Sequence, residues 1–239
     1  MKIIILSKTP YKEKDLIFNA ISEDKFFSFR GRGVLDNKSP HVWLNNDLTI
    51  ADIEVGEDKR SKYLTLKEAK PILSPMFAVG DLYKMYAIGA IAQVVNKTLE
   101  DNEKSRAFST IESAINALKE GRDFQMVVLI FLARMLALCG SAFNVDSCVG
   151  CGSTKDVVAF SFVEGGFICR NCLSPDDNYP KLNNNQLKLI RYIFKAPDFK
   201  CVGADMFNKE DKNVLLEHLR LYFFDNIGVS VDSISKLIY

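Results

Sequence analysis

The sequence predicts a multidomain α+β fold, in which a small β-barrel precedes a helical domain with an inserted four-cysteine ribbon. Three observations support this prediction. Residues 1–72 contain short apolar runs separated by turn signals at intervals of about 8–12 residues. Residues 73–239 contain apolar positions at helical spacing. At about 145–175, between two helical segments, two Cys-x2-Cys pairs flank a short run of strand-forming residues.

The first domain is predicted from β-branched and aromatic runs. About seventy residues of this kind suit a five-stranded oligonucleotide-binding (OB) barrel. Pro71 and Pro75 mark the expected end of this domain, so we place the boundary between residues 72 and 73. The predicted strands are Met1–Ser7, Asp15–Ile21, Phe26–Arg30, Val42–Leu44, Leu48–Val55 and Tyr63–Lys67.

The second domain is predicted from five helical segments. Phe124–Leu138 is apolar nearly all round and is therefore expected at the centre. That segment is shorter than the roughly 20 residues of a membrane span and contains Arg134, so no membrane association is expected. Gly121 is a plausible C-cap of the predicted helix Ser109–Leu118. The other predicted helices are Ala78–Leu99, Ser109–Leu118, Asn185–Lys195 and Lys209–Asn226.

The cysteine pattern is the most specific signal in the chain. Cys148-x2-Cys151 and Cys169-x2-Cys172 have the spacing of a four-cysteine zinc site, and the stretch between them can form a hairpin. Four thiolates complete a tetrahedral shell, which favours one structural zinc per chain over a catalytic one. A pair of redox-active dithiols is the alternative, but it would favour a thioredoxin-like βαβ context that the sequence does not show.

Composition and charge narrow the function only slightly. The 239 residues are 48% hydrophobic and 26% charged, as in ordinary globular proteins. A net charge of +1 neither indicates nor excludes a nucleic-acid-binding protein, because the distribution of charge matters more than its sum. No segment resembles a signal peptide, and two further cysteines stand singly, so a reducing cytoplasm is expected and disulfides are not.

The first candidate DNA contact lies in the barrel, where a strand opens into a loop. Arg30 and Arg32 flank a glycine, and Lys38 follows in a polar loop. Single-strand binders combine basic grooves with aromatic platforms. Replacing both arginines is expected to weaken DNA binding without unfolding the protein. The alternative is a solvated loop, and nearby Trp43 is more typical of core than of a platform.

The second candidate is a basic run between two predicted strands. Lys59, Arg60 and Lys62 fall within four residues, which could contact DNA phosphates. Glu57 and Asp58 precede the run and dilute its charge. The alternative is an ordinary charged turn.

Catalytic motifs are not found. The sequence contains no P-loop, no dinucleotide-binding glycine motif and no HExxH zinc motif. Its two histidines lie far apart and next to no nucleophile pattern, so an enzyme is not expected.

The order of these parts resembles the bacterial recombination mediator family RecO. The resemblance rests on the opening SKTPYKEKDLI, the basic loop around residues 25–38, the ribbon from Cys148 to Cys172 with its FSFVEGGF run, and the tail LRLYFFDNIGVSVDSISKL. The ribbon is the closest local match, and the resemblance covers most of the chain in the same order.

The resemblance implies a binding function without a covalent reaction. Its implied partners are single- and double-stranded DNA, which it would anneal, the C-terminal tail of the single-stranded DNA-binding protein (SSB), and RecR. The implied role is to load RecA on SSB-coated strands in RecF-pathway repair. The basic loop is sparser than in the family, which leaves open a repair adaptor with little DNA affinity of its own.

Overall fold

The computed structural model describes residues 1–36, 38–58, 62–98, 104–174, 178–201 and 203–239. Within them, five strands form a closed barrel with the order β1-β2-β3-β5-β4, in which β4 returns to β1. All neighbours are antiparallel except β3 and β5, which run parallel. This confirms the predicted OB-like barrel. The strands are β1 (Lys2–Tyr11), β2 (Asp15–Ile21), β3 (Phe26–Gly31), β4 (Ile50–Gly56) and β5 (Leu64–Leu73).

The barrel closes because β1 serves two neighbours. Lys2 to Ile4 pair with β4, and Ile4 to Tyr11 pair with β2, with an irregularity between Ile5 and Ser7. Such a bulge bends a strand and lets a sheet curve onto itself. The barrel interior is apolar, with Phe18 and Phe29 stacked at 5.2 Å between ring centroids.

Two strand predictions are wrong in part. Val42–Leu44 is not a strand but belongs to a 3₁₀ turn, Val42–Asn45, which buries Leu44 against the barrel interior. β5 continues six residues beyond the predicted end at Lys67, because Lys70 and Pro71 still pair with β4. β5 ends at Leu73, one residue beyond the predicted domain boundary between residues 72 and 73. That boundary stays a prediction.

The helical part surrounds one central helix. α3 matches its predicted bounds, and the Asp123 side chain caps it by accepting from the Met126 amide at 3.0 Å. Gly121 ends the preceding helix with a φ of 79°, as predicted. The helices in the described residues are α1 (Leu82–Thr98), α2 (Lys104–Lys119), α3 (Phe124–Leu138), α4 (Asn184–Lys195), α5 (Lys209–Tyr222) and α6 (Asp232–Ser235).

The barrel and the helices share a hydrophobic core. Ile4, Leu6 and Leu73 lie on the outside of the barrel and join the cluster that surrounds α3. Asn96 of α1 donates to the Leu6 carbonyl at 2.9 Å. No helix in the described part of the chain has the length and apolar character that a membrane crossing requires.

The ribbon is a three-stranded sheet of order β6-β8-β7, with β6 (Asn144–Cys148), β7 (Val157–Ser161) and β8 (Gly166–Cys169). The hairpin between the cysteine pairs is confirmed, whereas β6 was not predicted. Phe143 attaches the ribbon to the helices. It lies 5.2 Å from Phe160 of β7, 5.1 Å from Phe194 of α4 and 4.9 Å from Tyr222 of α5, measured between ring centroids.

Candidate metal centre and nucleic-acid face

The structure brings the four predicted cysteines together. Cys148 and Cys169 end β6 and β8 and are buried, while Cys151 and Cys172 lie in the turns that follow. Each turn is closed by backbone hydrogen bonds, from the Gly152 amide to Cys148 and from the Cys172 amide to Cys169. These two similar turns aim four sulfur atoms at one point.

The sulfur geometry fits a metal ion. All four Sγ atoms lie within 4.8 Å of one another, and those of Cys151 and Cys169 are 3.6 Å apart. Four sulfurs at about 2.3 Å from a tetrahedral ion lie about 3.8 Å apart. The site therefore can hold one ion within a complete shell of sulfur ligands.

The thiols of the cluster differ in acidity. Burial works against ionisation of Cys148, but the backbone amides of Cys169, Cys151 and Gly150 donate to its sulfur and hold its pKa at about 6. Hydrogen bonds to the sulfurs of Cys151, Cys148 and Cys169 raise the pKa of Cys172 to about 12. Metal binding to such a cluster must displace protons.

Arg30 is placed differently from its prediction. It is the penultimate residue of β3 and is only 7% exposed. Its Nε donates to Asp15 Oδ2 at 2.9 Å, and a second guanidinium nitrogen donates to the same oxygen. Replacement of Arg30 is therefore expected to destabilise the barrel, because it leaves a buried carboxylate without its cation.

Asp15 ties this strand pair to the following loop. Its Oδ1 accepts from the Gly33 amide at 2.8 Å. Burial alone would raise the pKa of Asp15, but the Gly33 amide and the Arg30 guanidinium together hold that pKa below its ordinary value. The carboxylate therefore fixes the loop that carries Arg32.

The other predicted DNA contacts lie at the surface or outside the described residues. Arg32 is half exposed and forms an ion pair with Asp58. Lys38 and Lys62 are exposed. Lys59 and Arg60 lie outside the described residues. Trp43 is partly buried against the barrel interior, in line with the core alternative.

A cluster of aromatic and basic side chains was missed by the sequence reasoning. Tyr11 at the end of β1 and Tyr63 before β5 meet edge to face, with centroids 6.2 Å apart. Lys12 lies 5.6 Å from the Tyr11 ring, and Lys62 lies 5.0 Å from the Tyr63 ring. The Arg30 guanidinium lies over the Tyr11 ring, 5.2 Å from its centroid, and supports it by a cation–π contact. We call Tyr11, Lys12, Lys62 and Tyr63 the tyrosine platform.

A polar row crosses the outside of the barrel on β1, β2 and β3. Asn19 of β2 donates to Ser7 of β1 at 3.0 Å and accepts from Ser28 of β3 at 2.7 Å. The signal in the sequence was the pairing of tyrosine with lysine at both loops, Tyr11-Lys12 and Lys62-Tyr63. Only the fold shows that the two loops meet.

Comparison with known proteins decides the family. The sequence profile of a family described as "Recombination protein O C terminal" matches residues 79–233, which is more than half of the chain. The chain belongs to the RecO family.

Individual RecO relatives agree with this assignment. "DNA repair protein RecO" of Halalkalibacterium halodurans is 28% identical over 170 residues, covering 71% of this chain and 66% of the relative. The protein of the same name from a Thermoanaerobacter species is 32% identical over 155 residues, covering 60% of this chain and 61% of the relative. For the first relatives the match spans less than two thirds of their length.

One RecO relative extends the match to the barrel. "DNA repair protein RecO" of Bacillus cytotoxicus is 25% identical over 234 residues, covering 96% of this chain and 92% of the relative. The family profile begins after the barrel strands, at residue 79. Both the barrel and the helical part with its ribbon thus have RecO counterparts.

Proposed function

We propose that this protein is a recombination mediator that binds single- and double-stranded DNA, anneals complementary strands and helps load RecA on SSB-coated strands. Membership of the RecO family supports a role in DNA repair, as in the relatives that carry that name. The protein acts in this proposal by binding, without covalent chemistry.

The tyrosine platform carries the proposal. OB folds bind oligonucleotides on the face of strands 2 and 3 and through the loops between strands 1 and 2 and strands 4 and 5. Lys12 lies in the first of these loops and Lys62 in the second. Two exposed cations beside two tyrosine rings supply phosphate contacts and stacking surfaces together.

The predicted arginines take separate roles within this site. Arg30 is a positioning residue, because its guanidinium is engaged by Asp15 and supports the Tyr11 ring. Arg32 and Lys38 lie on the adjoining loop and can contact phosphates once DNA competes with Asp58 for Arg32. Lys59 and Arg60 are proposed as further contacts of the second loop from the sequence alone.

Replacement of Tyr63 tests the platform. Tyr63→Ala is expected to weaken binding of a fluorescent single-stranded oligonucleotide about fivefold or more, since stacking contributes about 1–3 kcal/mol per base. Tyr63→Phe retains the ring and is the matched control. Equal affinity of Tyr63→Ala and the wild type in an anisotropy titration would remove the platform from the proposal.

The four cysteines are proposed to hold one structural zinc ion. The donor set of four thiolates and the sulfur spacing support zinc, and no position of the shell is left for a substrate. The ion would fix the two turns that end β6 and β8 and so hold the ribbon together.

Binding of SSB is the second proposal, and a groove beside α4 supports it. The groove measures about 360 Å³ and is lined by Tyr192, Ala196, Pro197, Met206 and Phe207. Lys188, Arg191 and Lys195 lie along its rim on one side of α4. An acidic tail with an apolar end would place its apolar side chains in the groove and a carboxylate at Lys188, while Arg191 and Lys195 also pair with Asp146.

A peptide titration separates the mediator from an adaptor with little DNA affinity. A fluorescent acidic tail peptide should bind the wild type, and Met206→Trp should abolish that binding by filling the groove. Oligonucleotide binding across a salt series, with and without SSB, then shows whether the protein reaches DNA by itself. RecR binding is proposed from family membership alone.

A further inference from the structure

A second cavity lies on the other side of α4, between that helix and the ribbon. It measures about 610 Å³, within the usual size range of small-molecule pockets. Its apolar wall is formed by Val157 of β7, Phe167 of β8 and Leu187 of α4. The proposed metal centre lies in the same sheet, so the ribbon supplies one rigid wall of the cavity. We call this space the ribbon cavity.

The rim of the ribbon cavity is polar on two sides. Thr154 contributes a hydroxyl group and Asn184 an amide, and each group can both donate and accept a hydrogen bond. Lys188 lies one helical turn after Asn184 on the same side of α4. The groove proposed for SSB shares Lys188 and Arg191 with this cavity, and its other lining residues are Lys195 and five apolar or aromatic residues.

The charges at the rim favour an anion beside Lys188. Asp146 also lines the cavity, but Lys195 binds it at 2.5 Å and Arg191 lies 3.3 Å from its other oxygen. The bond from Lys195, more than the charge of Arg191, lowers the pKa of Asp146. Asp146 is thus paired with two cations, and Lys188 has no acidic partner in the part of the chain that the structure describes.

We propose that the ribbon cavity binds a nucleotide, with the base against its apolar wall and the phosphate at Lys188. A base is apolar on its faces and carries donors and acceptors along its edge. Val157 is partly exposed and can contact a base face, with the 4% exposed Phe167 behind it, and Thr154 and Asn184 match the edge. The apolar faces and polar edge of a base match this combination of an apolar wall and a polar rim, and an acidic peptide is the competing occupant in the test.

The nucleotide bound in the ribbon cavity could be a free nucleotide or one nucleotide of a single strand. In either case the site is separate from the tyrosine platform and does not rest on DNA binding there. In a single strand, a base held at the ribbon would give the protein a second point of contact with nucleic acid.

Photocrosslinking tests the proposal in the full-length, metal-loaded chain. The probe is a short oligothymidylate containing 4-thiothymidine, applied to a Tyr63→Ala background so that binding at the barrel is suppressed. Crosslinked peptides are mapped by mass spectrometry. Crosslinks are expected in the peptides that contain Val157 or Leu187, and competition with thymidine monophosphate distinguishes a free-nucleotide site from a strand site.

Two tryptophan variants provide the matched comparison. Thr154→Trp fills the ribbon cavity and Met206→Trp fills the neighbouring groove, and both replaced residues are exposed. Thr154→Trp should lower the crosslink yield about tenfold or more, whereas Met206→Trp should leave it unchanged. Unchanged metal content and thermal unfolding verify that both variants are folded.

Three results would overturn the proposal. The first is an absence of crosslinks at the ribbon cavity in the Tyr63→Ala background. The second is an equal crosslink yield with and without Thr154→Trp. The third is displacement of the probe by an acidic peptide whose own binding is lost in Thr154→Trp. None of these results bears on the tyrosine platform, which is tested separately by comparing the oligonucleotide affinity of Tyr63→Ala with that of the wild type.

Discussion

Removal of the Arg30 guanidinium should destabilise the barrel substantially. The side chains of Arg30 and Asp15 are only 9% and 12% exposed, and two guanidinium nitrogens donate to one carboxylate oxygen. Loss of one partner from a buried ion pair costs about 3–5 kcal/mol. Asp15 keeps its bond from the Gly33 amide, so we expect the lower end, about 3 kcal/mol, for Arg30→Ala.

Thermal unfolding followed by circular dichroism measures this effect. For a chain of this size, 1 kcal/mol corresponds to about 2–4 °C, so Arg30→Ala should lower the Tm by about 6–12 °C. Arg32→Ala is the control, since Arg32 is half exposed and its pair with Asp58 is worth at most about 1 kcal/mol. Equal Tm values for the two variants would refute this interpretation of the buried pair.

The pH dependence of the unfolding free energy provides a second, independent test of the Arg30–Asp15 pair. Because the folded-state pKa of Asp15 lies below its ordinary value of 3.8, its contribution is fully present above that value. The contribution is lost as the pH falls below 3.8 through the folded-state pKa. Arg30→Ala should therefore lose less stability than the wild type on acidification, and a steeper loss in the variant would contradict the assignment.

Three further predictions concern the ribbon. Metal analysis should find about one zinc per chain, and chelation should abolish protection of ribbon amides from hydrogen exchange while α3 stays protected; retained ribbon protection would argue against a structural ion. Phe143→Ala should cost about 3–5 kcal/mol in chemical denaturation, because this buried ring joins the ribbon to α4 and α5; a cost near zero would show that the ribbon is held by other contacts. Gly166→Ala should weaken metal retention and ribbon protection, because its Cβ would lie 2.5 Å from Val149 Cγ1 and 2.7 Å from the Asn144 carbonyl oxygen. Gly150→Ala should have a milder effect, because the nearest contact of its Cβ would be a cysteine sulfur at 3.2 Å. A larger effect of Gly150→Ala would contradict the packing described.

Regular elements with strong local signals were predicted well. The apolar run of α3, the glycine that ends α2, and the cysteine pairs with their hairpin depend on residues close together in the sequence. Elements that depend on partners distant in the sequence were predicted less well. The end of β5 contains charged residues and Pro71, which obscure a strand that exists because β4 lies beside it. α6 is a single turn and has too short a pattern to detect.

The candidate DNA face shows the same division. Charge in the sequence pointed to Arg30, but its burial depends on Asp15, fifteen residues earlier, which meets it only when β2 and β3 pair. Tyr11 and Tyr63 lie more than fifty residues apart and form one surface only because the barrel closes. Local sequence could identify the barrel but not which side chains its loops bring together.

The salt dependence of DNA binding tests the central claim, that DNA is bound at the tyrosine platform. Each phosphate contact to a single strand contributes about 0.7 to the slope of log affinity against log salt. Lys12→Gln with Lys62→Gln should therefore reduce the magnitude of the slope by about 1.4, while Lys70→Gln with Lys97→Gln, at exposed lysines away from the platform, should leave it unchanged. An unchanged slope in the first variant, or an equal change in both, would show that DNA is bound elsewhere on the protein.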